Sequence, residues 1–369
     1  MTKDISSSRR GSFDVHIADE EFGIFVKNAY NLASAELLPE DEFIRPLFLF
    51  IAEQLAGYRL MPSPAIPVRL HLGIIEDPEP NAFAEWSEDV FYLAIYSGQL
   101  LSAIEAAVQM QDAIGAFAQD FGIKPDSTGS SSMTTPLGVT NFLNHLRGVK
   151  NIEDLFGEPK SPDDPASQRA MLFTSTCIQF ALMHEFGHVV MGHLGWLIAK
   201  ECRTQLREIS ILETDASPDL QAVLQFFEHE ADVFALEVLL RSAYQSSANE
   251  NNLIIVMLAF LSTIFSWTVL EGTPGLTSGG SHPQASDRML ALPMALIGIL
   301  EKMPASEHRM QCAIQKCSAI VKRVARKYPP FGSMQAIFSI DAVERADEIA
   351  GWMRKMDRAT ADRSHRIVP

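Results

Sequence analysis

The feature that most constrains this chain is the pentapeptide His184-Glu185-Phe186-Gly187-His188, which stands inside a long apolar run. Residues four apart in a helix lie on the same face, one turn above the other. Both imidazoles can therefore reach one tetrahedral zinc ion, and the glutamate between them lies beside a water on that ion. The pattern predicts a buried helix that carries a metal site.

A second helical segment offers a third ligand, Glu228. Glu228 and Asp232 are four residues apart in apolar sequence, which favours one buried face over a solvated acidic one. With His184 and His188, Glu228 would complete a site of two nitrogens and one carboxylate whose fourth position stays open, as in catalytic zinc sites. We expect Asp232 to accept the ring N–H of His184 or His188 and so to fix its tautomer.

The spacing H-E-x-x-H is the signature of zinc peptidases. In such a site zinc acidifies water and polarises the scissile carbonyl, and Glu185 acts as the general base that takes the water's proton. The sequence therefore predicts a metallopeptidase, most simply a metalloendopeptidase, that binds one Zn2+ per chain and acts on a polypeptide substrate.

Composition limits the other possible partners. The net charge is -16, and a phosphate-binding surface needs clustered Lys and Arg, so we expect no nucleic acid. Four cysteines without a C-x-x-C pair indicate reduced thiols rather than a disulfide framework. The first twenty residues lack an apolar signal core, so we expect a cytoplasmic protein.

The apolar periodicity predicts a mostly helical α+β fold with a small β-sheet before the H-E-x-x-H helix. We expect residues 1–20 to be disordered and residues 21–369 to form a single catalytic domain. Before the metal helix we expect two helices within 21–58, strands at 67–75 and 90–96, and a helix at 100–121. An insertion at about 122–167 could be a lid or a surface excursion. We expect one metal helix from about 165 to 200 and C-terminal helices from about 305.

The segment 253–270 contains no charged residue. Its length would permit a short membrane span, but acidic residues flank it and serines and threonines interrupt it. We therefore predict a buried central helix, and membrane association stays possible but is not favoured.

Four further residues are considered for the site. His282 and Arg288 follow a glycine-rich loop and could return to the metal helix as catalytic groups that donate hydrogen bonds to the oxyanion of a tetrahedral intermediate. His193 comes five residues after His188, whereas the known three-histidine pattern has six, so we interpret it as a packing or surface residue. Cys177 is interpreted as apolar filler rather than a ligand.

Four motifs in this order resemble the gluzincin peptidases of the HtpX and CAAX prenyl protease family. They are Asn81-Ala82-Phe83, His184-Glu185-x-x-His188, Glu228-x-x-Ala231-Asp232, and His282-Pro283 with Arg288. The resemblance implies a zincin-like metallopeptidase core. It implies zinc ligands His184, His188 and Glu228, catalytic Glu185, His282 and Arg288, Asp232 against a ligand, and a substrate-binding edge at Asn81, Ala82, Phe83 and Ala84.

The resemblance also implies that Arg288 could pair with Asp232 or Glu228 instead of touching substrate. Members of that family commonly carry transmembrane helices, so a compact, soluble relative is the closer comparison. The alternatives left open are a zinc-binding regulatory or scaffold protein with a peptidase-like fold, a membrane-associated protease, and a selective endopeptidase that acts in stress or phage defence.

Overall fold

The computed structural model describes a large part of the chain. The described residues do not include residues 1–12, the expected helix beyond residue 107, the expected insertion up to residue 164, or His282. The described ranges are 13–30, 44–60, 68–75, 77, 81–87, 90–104, 107, 165–201, 205–207, 218–246, 250–271, 285–303, 306–327, 337–361 and 367–368.

The described residues form a mostly helical α+β fold, as predicted. The helices are α1 (Glu20–Tyr30), α2 (Ile44–Ala56), α3 (Pro165–Val190), α4 (His193–Glu201), α5 (Pro218–Ser246), α6 (Asn251–Glu271), α7 (Ala285–Arg288), α8 (Ala291–Lys302), α9 (Glu307–Lys327) and α10 (Ile340–Ala359). The strands are β1 (Phe13–Ile17), β2 (Arg59–Leu60), β3 (Val68–Ile75), β4 (Ala82–Ser87), β5 (Val90–Tyr96), β6 (Gln205–Arg207) and β7 (Ile367–Val368).

The main sheet has the strand order β1-β3-β5-β4-β6. Strands β1, β3 and β5 run parallel, whereas β4 is antiparallel to both β5 and β6. On its β6 side, β4 pairs Phe83 with Arg207 and Glu85 with Gln205. The expectation that Asn81 to Ala84 form an edge is therefore wrong from Phe83 onward, because the chain after α4 returns to cover this strand.

Residues 13–17 form β1 and α1 begins at Glu20, so the expected disorder is wrong for this part of residues 1–20. Phe13 begins β1, is buried, and packs its ring against that of Phe186 with the centroids 5.3 Å apart. The five-residue alternation of β1 is short and follows a polar segment, so its periodicity is weak in the sequence. Its pairing with β3 is a tertiary interaction that local propensity does not encode.

Helix α3 is the central element of the core. It contacts β4 and β5 of the sheet as well as α5 and α6. Nearly every side chain from Phe173 to Val190 is buried, including those of Phe180 and Phe186. A helix that is buried on all sides shows little amphipathic pattern, and it holds its polar residues in fixed positions within the protein interior.

The predicted metal helix is two helices rather than one. Helix α3 ends at Val190 and α4 begins at His193, with a turn between them in which Gly192 has φ 76°. The Met191 N–H still donates to the Gly187 carbonyl at 2.9 Å. Glycine adopts this left-handed conformation without a Cβ clash, and for that reason it commonly ends helices.

The uncharged segment 253–270 is helical, as predicted, and lies within α6. Its described side chains from Leu253 to Ile264 are almost all buried in the core. Helices α3 and α9 pack against α6. Within the described ranges, no helix is both long enough and apolar enough to cross a membrane. The C-terminal helices α9 and α10 are also present as predicted.

The described cysteines are reduced thiols with different accessibility. Cys177 in α3 and Cys317 in α9 are buried, whereas Cys312 is half-buried. Burial raises the pKa of Cys177 to about 12 and also raises the pKa of Cys317.

We expect iodoacetamide at mildly alkaline pH to alkylate Cys312 in the folded protein, and Cys177 and Cys317 only after unfolding. Alkylation requires the thiolate, and a raised pKa leaves these two buried thiols protonated. A time course read by peptide mass spectrometry, with and without urea, measures this. Labelling of Cys177 in the folded protein as fast as that of Cys312 would contradict the packing of α3 against α6.

Candidate metal centre

Three potential ligands converge between α3 and α5. His184, His188 and Glu228 are at most 2% exposed, and one ligand atom from each lies within 4.8 Å of the others. The Nε2 atoms of the histidines are 3.0 Å apart. The Glu228 oxygens lie 3.3 Å from the Nε2 of His184 and 3.6 Å from that of His188.

These distances suit a shared cation. Ligands at 2.0 to 2.2 Å from a tetrahedral ion are separated from one another by about 3.3 Å, and the three observed distances bracket that value. Two imidazole nitrogens and a carboxylate in the protein interior all offer lone pairs toward one point, which costs free energy unless a positive charge lies between them. The group of His184, His188 and Glu228 could therefore bind a metal ion.

The close approach of α3 and α5 depends on Gly187. A Cβ added at this position would lie 3.1 Å from the Cα of Ala231 and 3.2 Å from the Cδ1 of Phe234. Gly187 stands between the ligand positions of α3, and Ala231 stands between Glu228 and Asp232 on α5. Two small residues at this crossing therefore let the carboxylates of one helix reach the imidazoles of the other.

Replacement of Gly187 by alanine is expected to weaken both folding and metal binding. The new methyl group meets backbone as well as side chain, so the helices must separate by a few tenths of an ångström. Overpacking of this kind costs about 1 to 3 kcal/mol of unfolding free energy. Urea unfolding and a chelator competition for zinc measure the two effects.

Gly23→Ala in α1 is the matched control, because nothing lies within 4 Å of a Cβ added there. Alanine in an open helical position should preserve or raise stability. If Gly187→Ala were as stable as Gly23→Ala, with unchanged zinc affinity, the crossing would not position the ligands.

Asp232 lies against the first histidine. Its Oδ1 is 2.8 Å from the Nδ1 of His184, which brings together the residue pair expected from the sequence, but this contact does not have the geometry of a hydrogen bond. Arg288, from the short helix α7, donates from Nε to Oδ2 and from Nη2 to Oδ1, each at 2.9 Å. All three side chains are buried. The Nη2 of Arg288 also lies 3.6 Å from the Oε2 of Glu228, so the geometry corresponds to the pairing of Arg288 with these two carboxylates.

The second histidine contacts a residue that sequence reasoning assigned to packing or to the surface. The Nδ1 of His188 lies 2.9 Å from the Nδ1 of His193, and the Nε2 of His193 lies 3.0 Å from the Oε2 of Glu230. His193 is fully buried, so the surface interpretation is wrong. The turn at Gly192 ends α3, and His193 at the start of α4 lies beside His188. A glycine just before a histidine was the only signal for this contact in the sequence.

A further histidine of α5, His229, is buried next to the site. Burial lowers its pKa, although the charge of nearby Asp232 acts in the opposite direction. The lowered pKa disfavours a positive charge on His229, and its ring packs edge-on against the Trp352 ring.

The remaining predicted residues are placed as follows. Glu185 is buried on α3 between the two potential ligands His184 and His188. Asn81 to Ala84 are also buried, and the Asn81 side chain accepts a hydrogen bond from the Ala82 N–H at 2.9 Å. The Phe83 side chain belongs to an aromatic cluster on the sheet, so in this conformation it contacts the core.

Comparison with known proteins identifies one family. The model of the family Peptidase U49 matches residues 83–296, a span that covers more than half of the chain and runs from β4 to α8. It includes the three potential ligands, Asp232 and Arg288. No curated protein and no solved structure matches the chain significantly. The chain therefore belongs to the Peptidase U49 family, and this membership supports a peptidase that acts on polypeptides.

Proposed function

We propose that this peptidase is a zinc-dependent metalloendopeptidase of the gluzincin type. The observation that carries the proposal is the buried group of His184, His188 and Glu228 at tetrahedral spacing, with Glu185 between the histidines. The resemblance to the HtpX and CAAX prenyl protease family supports a zincin-like core. The Peptidase U49 match supports the reaction class.

Zinc is the metal that the donor set favours. Calcium and magnesium prefer sites made of oxygen ligands, whereas two imidazoles and one carboxylate are typical of catalytic zinc. Bound there, zinc would supply Lewis acidity that polarises a carbonyl and acidifies a water. The three residues leave one coordination position for these groups, so we assign one Zn2+ per chain.

Glu185 is proposed to move the proton. As a carboxylate it accepts a proton from the attacking water, and it later donates that proton to the leaving amine of the cleaved peptide. Its burial beside the histidines keeps bulk water from competing for these transfers. A purely structural metal site would have no use for an acid in this position, which argues against a regulatory or scaffold protein.

Two further residues receive different proposed roles. Arg288 uses Nε and Nη2 on Asp232, so we assign it to the positioning of that carboxylate rather than to the oxyanion. His282, which lies outside the described residues, is proposed as the oxyanion donor on the basis of the family resemblance. A donor of this kind stabilises the negative charge that develops on the attacked carbonyl.

An extended polypeptide is the proposed substrate. Peptides commonly bind by adding a strand to a sheet, where backbone hydrogen bonds give affinity for many sequences. Strand β4 contacts α3, and β6 pairs with it from Phe83 to Glu85. Asn81 and Ala82 precede that pairing, so we propose that substrate binds at this end of β4, where it would displace the Asn81 side chain from the Ala82 N–H.

Metal analysis with a proteolysis assay tests the proposal. We expect about one zinc in the purified wild type and much less in Glu228→Ala, because the third ligand is lost. Wild type should cleave an unfolded protein, and a chelator should stop the cleavage reversibly. Glu237→Ala, a change on the same helix in a carboxylate paired with Arg241 and Lys302, is the control and should retain zinc.

Two outcomes would change the assignment. Unchanged zinc in Glu228→Ala would remove Glu228 as a ligand. Zinc in the wild type without cleavage of unfolded protein would favour a peptidase that is selective for one folded target, or a regulatory protein.

A further inference from the structure

We propose that Glu230, acting through His193, fixes the tautomer and orientation of His188 as a metal ligand. The inference rests on the proposed metal site and adds two positioning residues to it. Glu230, His193 and His188 form a continuous relay with contacts of 3.0 and 2.9 Å. We call these three side chains the histidine relay.

The hydrogen-bonding capacity of each group sets the direction of the relay. A carboxylate can only accept, so Glu230 requires the proton of His193 to be on Nε2. In a neutral imidazole the other nitrogen is then an acceptor, so the Nδ1 of His193 accepts. The Nδ1 of His188 must therefore be the N–H that donates at 2.9 Å. The Nε2 of His188 is left with a lone pair directed toward His184 and Glu228, which is the state that a metal ligand needs.

The surroundings of His193 hold its ring in place. The ring stacks on that of Phe227 with the centroids 4.1 Å apart and the planes 11° apart. Backbone geometry adds to this constraint, because the turn at Gly192 starts α4 with His193 as its first residue. Stacking alone would be satisfied equally well by an apolar aromatic residue. The facing Nδ1 atoms of His188 and His193 require a donor and an acceptor in opposed tautomers, which packing does not explain.

The two ligating histidines are therefore oriented by different acids of α5. His184 contacts Asp232 directly at 2.8 Å, whereas His188 reaches Glu230 only through His193. Glu230 and Asp232 are two residues apart, so they point to different sides of α5. A single helix thereby supplies one ligand, Glu228, and the acids that set the tautomers of the other two.

Two replacements of His193 separate positioning from packing. His193→Phe keeps the aromatic stacking on Phe227 but offers no acceptor to His188. His193→Asn loses the stacking but places an amide oxygen near the position of the imidazole Nδ1. A positioning role predicts that asparagine is the better substitute for metal binding, whereas a packing role predicts that phenylalanine is.

The first readout is zinc affinity, measured by competition with a chromophoric chelator. We expect His193→Phe to bind zinc about 10- to 100-fold more weakly than wild type, the usual cost of losing an outer hydrogen-bond partner of a ligand. His193→Asn should recover most of that loss even if it unfolds more easily. Equal affinity of His193→Phe and wild type, or a weaker affinity of His193→Asn than of His193→Phe, would overturn the proposal.

The second readout is the tautomer itself, from 15N NMR of histidine-labelled, metal-free protein. We expect the proton of His188 on Nδ1 and that of His193 on Nε2. Glu230→Gln should give a mixture of tautomers, because an amide can donate as well as accept. Glu237→Gln, a matched change on the same helix, should leave both signals as in wild type. The reverse tautomers in wild type, or no change in Glu230→Gln, would refute the relay.

These readouts keep the relay distinct from the proposed function. If wild type bound no zinc, the metallopeptidase proposal would fail, while the NMR tautomers would still decide the relay. If wild type bound zinc and cleaved peptide but His193→Phe matched it in affinity, only the relay would fail.

Discussion

Replacement of Glu185 by glutamine is expected to abolish peptide hydrolysis while zinc remains bound. Glutamine keeps the size of the buried side chain but cannot take a proton from water at neutral pH. Proton transfer by a positioned side chain raises the rate of a reaction by about 10²- to 10⁴-fold. We therefore expect kcat to fall by at least about 100-fold. Digestion of an unfolded protein, with metal content measured on the same sample, provides both numbers.

The metal content separates a chemical role of Glu185 from a structural one. Glu185 does not belong to the ligand group formed by His184, His188 and Glu228, so Glu185→Gln should bind zinc like wild type. The control Glu237→Gln removes a charge from α5 at an ion pair outside the ligand group and should keep full activity. Loss of zinc in Glu185→Gln would contradict its assignment as general base, as would retained turnover.

The ligand group was predictable because helix geometry is local. Four residues span little more than one turn, so His184 and His188 share a face whatever the rest of the chain does, and the same holds for Glu228 and Asp232. Apolar surroundings in the sequence indicated that both faces are buried. The two buried polar faces, one on each helix, then have to meet in the core. Few arrangements of a core allow such a contact without a cation.

The contacts that sequence reasoning missed are those that depend on where the chain turns. His193 follows a glycine whose positive φ was visible only in the structure, and a continuous helix would have placed His193 well beyond His188. Strands β1 and β6 are short, and their pairing partners lie far away in sequence. Periodicity reports which face of an element is buried but not which strand lies beside it.

Removal of Asp232 is expected to have the largest effect on stability. Asp232→Ala removes the carboxylate that now accepts two hydrogen bonds from the buried Arg288 guanidinium, and Glu228, 3.6 Å from its Nη2, does not replace them. Loss of one partner of a buried ion pair costs about 3 to 5 kcal/mol of unfolding free energy. The same change removes the carboxylate that lies 2.8 Å from the Nδ1 of His184, which should weaken zinc binding by about 10- to 100-fold.

Lys302→Met is the control for the loss of stability in Asp232→Ala. Lys302 pairs with Glu237 on the same helix, but its side chain is 59% exposed, so its removal should cost less than about 1 kcal/mol. Urea unfolding of the metal-free proteins compares the two variants without a contribution from bound zinc. A cost for Asp232→Ala as small as that for Lys302→Met would mean that Arg288 finds another partner or water.

A double replacement distinguishes the two roles of Asp232, the pairing with Arg288 and the orientation of His184. In Asp232→Asn with Arg288→Met both buried charges are gone, so most of the lost stability should return. Zinc affinity should stay low, because an amide is a weaker acceptor than a carboxylate for the N–H of His184 and does not raise the basicity of the ring in the same way. Recovery of stability together with zinc affinity would mean that Asp232 matters only as the partner of Arg288. Recovery of stability alone would mean that Asp232 orients His184. Arg288 would then compensate the negative charge that Asp232 needs for this role.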